Sequence, residues 1–282
     1  MEHRNVLRVV DLHKSFRGHE VLRGVEFDLA PGELFGIIGE NGAGKSPLLR
    51  VLAGELPADR GDALYAGRLG YCPQKIVLND ELTPDQHLAL FRRAYGLRSL
   101  EHANQLVERL GYERHRSVKA GLLSGGTRQK LNLTIALMHD PDVVLMDEPY
   151  QGFDWDNYLN FWSIAEELRD RGRSVLIISH LAHDTARFDR LHKLREGRLT
   201  TEEAVDPPAV GAPALERTAI EQATADGEPA VGKPSTQKGT RTATAKATGA
   251  TRRPEPPAAR TVGAVRKTVG RAAATARKVT GA

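Results

Sequence analysis

From residue 33 the chain runs ELFGIIGENGAGKSPLL, an apolar stretch followed by G-x-x-x-x-G-K-S between Gly39 and Ser46. Few features restrict a fold as tightly. A short apolar run ending in glycine reads as a buried strand, and Lys45 to Leu52, closed by Gly54, reads as a helix. Between them, glycines at 39, 42 and 44 let successive backbone N–H groups turn inward around a chain of phosphates. The following helix points its positive end at the same place. The loop residues Gly39, Asn41, Gly42, Ala43 and Gly44 are therefore expected to hold a nucleotide. Lys45 is expected at the β- and γ-phosphates and Ser46 on Mg²⁺. A glycine-rich turn with no ligand is the plainer alternative, and the strand and helix on either side weigh against it.

The rest of the first two hundred residues alternates strand-like and helix-like segments, which argues for an α/β domain. VLRVVDL (6–12) and VLRGVEFDL (21–29) read as antiparallel strands. Residues 84–123 place apolar side chains at helical spacing with few β-branched residues, and read as a helical insertion. A helix over about 125–139, a buried strand at 142–147, a helix over 156–171 and a second buried strand at 174–180 follow. Two continuous apolar strands ending in polar residues suggest a parallel sheet with its active edge at the strand C-termini. The first of them ends VVLMDEP, so Asp147 could hold Mg²⁺ through water and Glu148 could polarise an attacking water as general base. A pair of adjacent carboxylates is weak evidence alone; at the end of a buried strand beside a phosphate loop it is much stronger.

Composition matters at three points. Cys72 is the only cysteine, which rules out an internal disulfide and fits a reducing compartment. The N-terminal stretch carries charges throughout, and no apolar run approaches the length that crosses a membrane, so a soluble intracellular chain is expected. The modest net charge of +4 also hides an asymmetry. Residues 229–282 carry 12 Lys or Arg against one acidic residue, leaving 28 basic against 35 acidic in the remainder. No aromatic follows Phe188. Such a segment buries too little apolar surface to offset the entropy of ordering it, so a disordered tail is expected over 203–282. Contact with an anionic membrane surface or with nucleic acid is open to it, as is the plain role of a solvated extension.

The order GENGAGKS (39–46), YCPQ (71–74), LLSGGTRQK (122–130), VVLMDEP (143–149) and IISH (177–180) resembles the ATP-binding subunit of an ATP-binding cassette (ABC) transporter. Five motifs in that order over residues 5–200 are a specific signal. The segment LTPDQHLALFRRAYGL resembles the start of the helical subdomain in members paired with exporter-type membrane subunits. The resemblance implies a P-loop NTPase fold of ABC type: a mostly parallel core sheet, a small antiparallel β-subdomain, and a helical subdomain at about 76–123. It divides the chain into an ATP-binding domain over 1–202 and the tail. By resemblance, Phe16 stacks on adenine where the family usually has Tyr. Gln74 touches Mg²⁺ and the attacking water, and His180 contacts the γ-phosphate. Ser124, Gly125 and Gly126 cap the γ-phosphate held by an opposite subunit, so the site would be complete only in a head-to-tail dimer. Asp154, in QGFD where SGLD is commoner, lies in the loop linking the two sites.

Two departures stand out. Only 28 residues separate Lys45 from Gln74, so the β-subdomain is expected to be trimmed. Pro47 stands where the family has Ser or Thr, and proline offers the α-phosphate neither an N–H nor a hydroxyl. It also disfavours helical geometry at the preceding residue, Ser46. Losing one hydrogen bond to a charged group costs about 1.5–3 kcal/mol, roughly ten- to a hundredfold in affinity. The reading that results is a weakened but working ATPase. It is expected at the inner face of the cell membrane, driving a separate integral-membrane subunit as a homodimer or with another ATP-binding subunit. A soluble ABC-type ATPase acting on nucleic acid or translation through the basic tail is the second reading. A catalytically idle nucleotide-binding regulator is the third.

Overall fold

The computed structural model describes residues 5–179 and 182–201. In chain order the first elements are β1 (Leu7–Phe16), β2 (His19–Leu29), β3 (Leu34–Ile38), α1 (Lys45–Leu52), β4 (Arg60–Tyr65) and β5 (Leu69–Cys72). There follow α2 (Pro84–Ala94), α3 (Glu101–Arg109), α4 (Gly125–Leu137), β6 (Val143–Asp147), α5 (Trp155–Asp170), β7 (Ser174–Ser179), β8 (Arg190–Arg195) and β9 (Arg198–Thr201). Short 3₁₀ turns at Glu113–His115 and Ala120–Leu122 connect α3 to α4.

The strands make two sheets. β2, β1 and β4 form an antiparallel one, in that order. Arg17 and Gly18, with φ of +49° and +81°, make the β1–β2 turn, in the hand that a two-residue hairpin needs. The larger sheet has the order β5-β6-β7-β3-β8-β9 and is parallel except for β9. Every residue of β3, β6 and β7 is buried, as strands covered on both faces require. Their alternation divides the core. Val143 and Leu145 of β6 pack with Leu48, Leu49 and Leu52 of α1 and with the antiparallel sheet. Val144 and Met146 pack on the other face with α4 and α5.

Side chains cap the starts of α2, α4 and α5. Thr83 and Gln86 make a reciprocal capping box ahead of Pro84 in α2. Ser124 caps α4 by accepting from the Thr127 N–H at 3.2 Å, and Asp154 caps α5 by accepting from Asn157 N–H at 2.9 Å. Residues 75–82, ahead of α2, form neither helix nor strand, so helix begins later than residue 76. A single antiparallel strand, β4, occupies the short span between α1 and β5.

Candidate functional site

The register of the parallel sheet brings the chemistry together. It sets Cys72 beside Met146, Asp147 beside Ile178, and Ile38 beside Ser179. The residues leaving β3, β5 and β6 therefore emerge from one edge: the phosphate loop from β3, Gln74 from β5, Glu148 from β6. His180, expected at the same edge after β7, lies outside the described residues, as does the basic tail. A cleft of about 150 Å³ opens along this edge. Asn41, Gly42, Gly44, Lys45, Ser46 and Pro47 line it, and Gln74, Glu148 and Val21 of β2 complete the lining. Gly39, Ala43 and Asp147 are not among the lining residues.

Gly44 has φ +106°, a conformation that needs glycine, and it is the N-cap from which α1 starts. Lys45 is buried, and its Nζ donates to the carbonyls of Gly39 at 2.5 Å and Glu40 at 3.0 Å, folding the loop around the ammonium. Burial lowers its pKa, and the nearby Glu148 and Asp147 carboxylates act against that shift. Asp147 is buried too. Desolvation pushes its pKa up, while a hydrogen bond from Ser46 and the charge of Lys45 pull it down. Loop, cation, hydroxyl and carboxylate thus form one connected group.

Pro47 sits in the first turn of α1, as expected, but without the effect expected on Ser46. Lys45, Ser46 and Pro47 all lie within α1, so the proline does not drive Ser46 out of helical geometry. It is the third residue of the helix, where a backbone N–H has no partner inside the helix. The first intrahelical bond, Leu48 N–H to Gly44 C=O at 2.9 Å, is intact. The substitution removes an N–H only from the side that faces the cleft.

Glu148 has φ +48°, uncommon for a residue with a side chain and costing on the order of 1–3 kcal/mol. It is 7% exposed, and its Oε2 accepts from Gln74 Nε2 at 2.7 Å. Two buried amides of α4 secure the neighbouring peptides. Asn132 Nδ2 donates to the Pro73 carbonyl at 3.0 Å, and Gln129 Nε2 to the Pro149 carbonyl at 3.0 Å. Neither amide was singled out from the sequence, although two amides on a helix buried nearly all round were a signal. Val21 offered none.

Other expected residues stand apart from the cleft. Phe16 is 40% exposed at the end of β1, with Lys14 Nζ 5.7 Å from its ring centre, and is not among the lining residues. Ser124, Gly125 and Gly126 open α4 outside the lining, with Ser124 and Gly125 exposed. Gly126 is tied to the Asp154 loop: a Cβ there would meet the Gly152 carbonyl oxygen at 2.4 Å.

A family model described as ABC transporter matches residues 22–151, which span the phosphate loop, Gln74, the Ser124 turn and Glu148. The Nod factor export ATP-binding protein I of Paraburkholderia xenovorans is 33% identical over 207 residues, covering 68% of this chain and 68% of that protein. The chain belongs to the ABC transporter family of ATP-binding subunits. Another relative of this cassette is the linearmycin resistance ATP-binding protein of Bacillus subtilis, 28% identical over 210 residues and covering 69% of this chain and 68% of the relative. A solved structure of an ATP-binding subunit of an ABC transporter superposes with a TM-score of 0.66 at 29% identity, covering 71% of this chain and 90% of that one. The cassette is accordingly an ATPase that energises transport. Among its described residues no helix is long and apolar enough to cross a membrane.

Proposed function

We propose that this cassette powers an exporter, closing with a second ATP-binding subunit around two ATP molecules and so driving a separate integral-membrane subunit. One observation carries the two-subunit part. The cleft gathers a phosphate loop, a lysine and the Glu148 carboxylate, while the Ser124–Gly126 turn lies outside it with Ser124 and Gly125 exposed. A capped helix N-terminus with glycine N–H groups suits a phosphate, and the γ-phosphate of a second subunit would supply one. The export direction rests on the names of the relatives, Nod factor export and linearmycin resistance. The cassette is placed at the inner membrane face through its membrane partner.

Within the cleft, Lys45 is assigned to the β- and γ-phosphates, and the N–H groups of the loop and of α1's first turn to the phosphate oxygens. Phe16 is assigned to adenine, where it supplies a π-face without a hydroxyl. Glu148 takes the proton of the attacking water, held in place for it by Gln74. His180 is assigned to the γ-phosphate. Ser46, Asp147 and Gln74 fit Mg²⁺ as a set of hard oxygen donors. Among the described residues no group of three His, Cys, Asp or Glu gathers to form a metal cage, so phosphate oxygens and water would complete the shell. Mg²⁺ would neutralise charge developing on the transferred phosphoryl group. The basic segment 229–282 is assigned to an anionic surface, of lipid or nucleic acid. Deleting it without changing binding to either would remove that assignment.

The test is Mg²⁺-ATP hydrolysis against protein concentration, with Glu148→Gln beside the wild type. A rate rising faster than linearly and vanishing in the variant is expected. Full activity strictly proportional to concentration would sink the shared site.

A further inference from the structure

The turn that carries Glu148 is strained, and something must hold it. Backbone contacts do part of this. The Glu148 N–H donates to the Ile178 carbonyl at 3.0 Å, and the Gln151 N–H to the Glu148 carbonyl at 3.2 Å. A side chain two residues along adds a further tie. The Tyr150 hydroxyl and the Ser179 hydroxyl share a buried hydrogen bond of 2.6 Å. Ser179 is the last residue of β7, next to Ile178, so the turn after β6 is fastened to two successive residues at the end of β7. The Tyr150 ring itself has little freedom. It is 5% exposed and meets Tyr158 and Phe161 edge-on at 5.4 Å between centroids, with Trp162 at 6.0 Å. All three belong to α5, whose N-cap Asp154 closes the same loop.

We infer that Tyr150 is a positioning residue for ATP hydrolysis: anchored in the α5 aromatic cluster, it clamps the strained Glu148 turn to Ser179 and so fixes where the Glu148 carboxylate stands. The inference rests on the proposal that Glu148 is the base, and it adds a residue that touches neither nucleotide nor water. The clamp joins three things that must keep register during turnover: the end of β6, the end of β7, and the loop leading to α5. A cleft-lining residue would change ATP binding when altered. This one is absent from the lining, so its loss acts on the rate alone.

The experiment compares Tyr150→Phe, Ser179→Ala and the double variant with the wild type and Glu148→Gln, on the full chain. Tyr150→Phe keeps the ring and its packing and removes only the hydroxyl. A kcat lowered roughly three- to tenfold, a KM for ATP within about twofold and an unchanged thermal midpoint are expected. The double variant should be no slower than the slower single variant, since both remove one bond. Wild-type kcat in Tyr150→Phe while Glu148→Gln is inactive overturns the clamp and spares the base. A loss of rate matched by a lowered midpoint and a raised KM also overturns it, because that pattern is general loosening. Wild-type hydrolysis by Glu148→Gln brings down the base assignment and the clamp with it.

Discussion

Two glycine-rich turns in this chain open helices, and their surroundings differ. The turn at Gly42–Gly44 starts α1 inside a cleft, with Lys45 tied to the loop carbonyls and with Glu148 and Gln74 in the same lining. The turn at Ser124–Gly126 starts α4 at the surface, beside the 78% exposed Leu122 and outside that lining. Both offer backbone N–H groups at the positive end of a helix. Only the first has a cation and a carboxylate within the same lining. The difference teaches that a backbone nest is half a site: what completes it is the chemistry that other strands bring to the same edge. On the two-subunit reading proposed above, the second turn meets that chemistry on another molecule.

The largest effect expected is at Gly125, where a Cβ would meet nothing within 4 Å in the chain itself. Gly125→Val should lower hydrolysis roughly a hundredfold, the order seen when a donor to transition-state charge is lost. Its thermal midpoint and its ATP affinity at the phosphate loop should hold. Gly126→Ala should instead lower the midpoint as well, because its Cβ collides with Gly152. If Gly125→Val hydrolyses normally, the second turn has no phosphate to hold and the comparison collapses.

Next comes Pro47→Thr, which restores an N–H and a hydroxyl at the cleft side of α1 without touching the second turn. ATP should bind roughly ten- to a hundredfold tighter by titration calorimetry. Equal affinities would mean the first nest never used that position.

The smallest effect concerns the segment between the two turns. His87 is buried, accepting from the Asn79 N–H at Nε2 (3.1 Å), so its proton sits on Nδ1 and is donated to the Thr83 carbonyl at 2.9 Å. Burial lowers its pKa below 6.5. Between the lowered value and 6.5 the folded chain binds fewer protons than the unfolded one. Stability is therefore full above 6.5 and declines as pH falls through that window. Thermal melts from pH 7.5 to 5 should show this, more shallowly in His87→Asn. Desolvation shifts His139 and His192 the same way, so part of the slope will remain. An unchanged slope in the variant would show that this segment is not pinned by a neutral ring.

The strands that set the site were legible because burial on both faces leaves an unbroken apolar run, as in LFGII and VVLMD. β4, with RGDALY, and β8, with RLHKLR, were not read as strands: charged residues interrupt each, and their pairing comes from neighbours distant in sequence. The phosphate-loop residues and Glu148 were named from spacing, and the structure gathers them. Proline's effect on Ser46 was overstated because the pre-proline rule is a preference, and the first turn of a helix tolerates proline. The partners of Gln129, Asn132 and Tyr150 were not read, although the two buried amides were a signal. Each acts through a contact fixed by tertiary packing, and no spacing rule encodes such a contact.

The β8–β9 turn makes two of those distant contacts. Its Gly197 carbonyl accepts from the Arg23 N–H at 2.8 Å, and its N–H donates to the Ala43 carbonyl at 3.3 Å, so it joins the antiparallel sheet to the phosphate loop. Ala43 and Gly197 lie more than 150 residues apart in the chain. At about 5–20 residues per second, a ribosome delivers the loop roughly 8–30 s before the turn that braces it. The nucleotide cradle is thus among the first parts of the cassette to be synthesised and among the last to be finished. In that interval a nascent chain carries a phosphate loop without its brace.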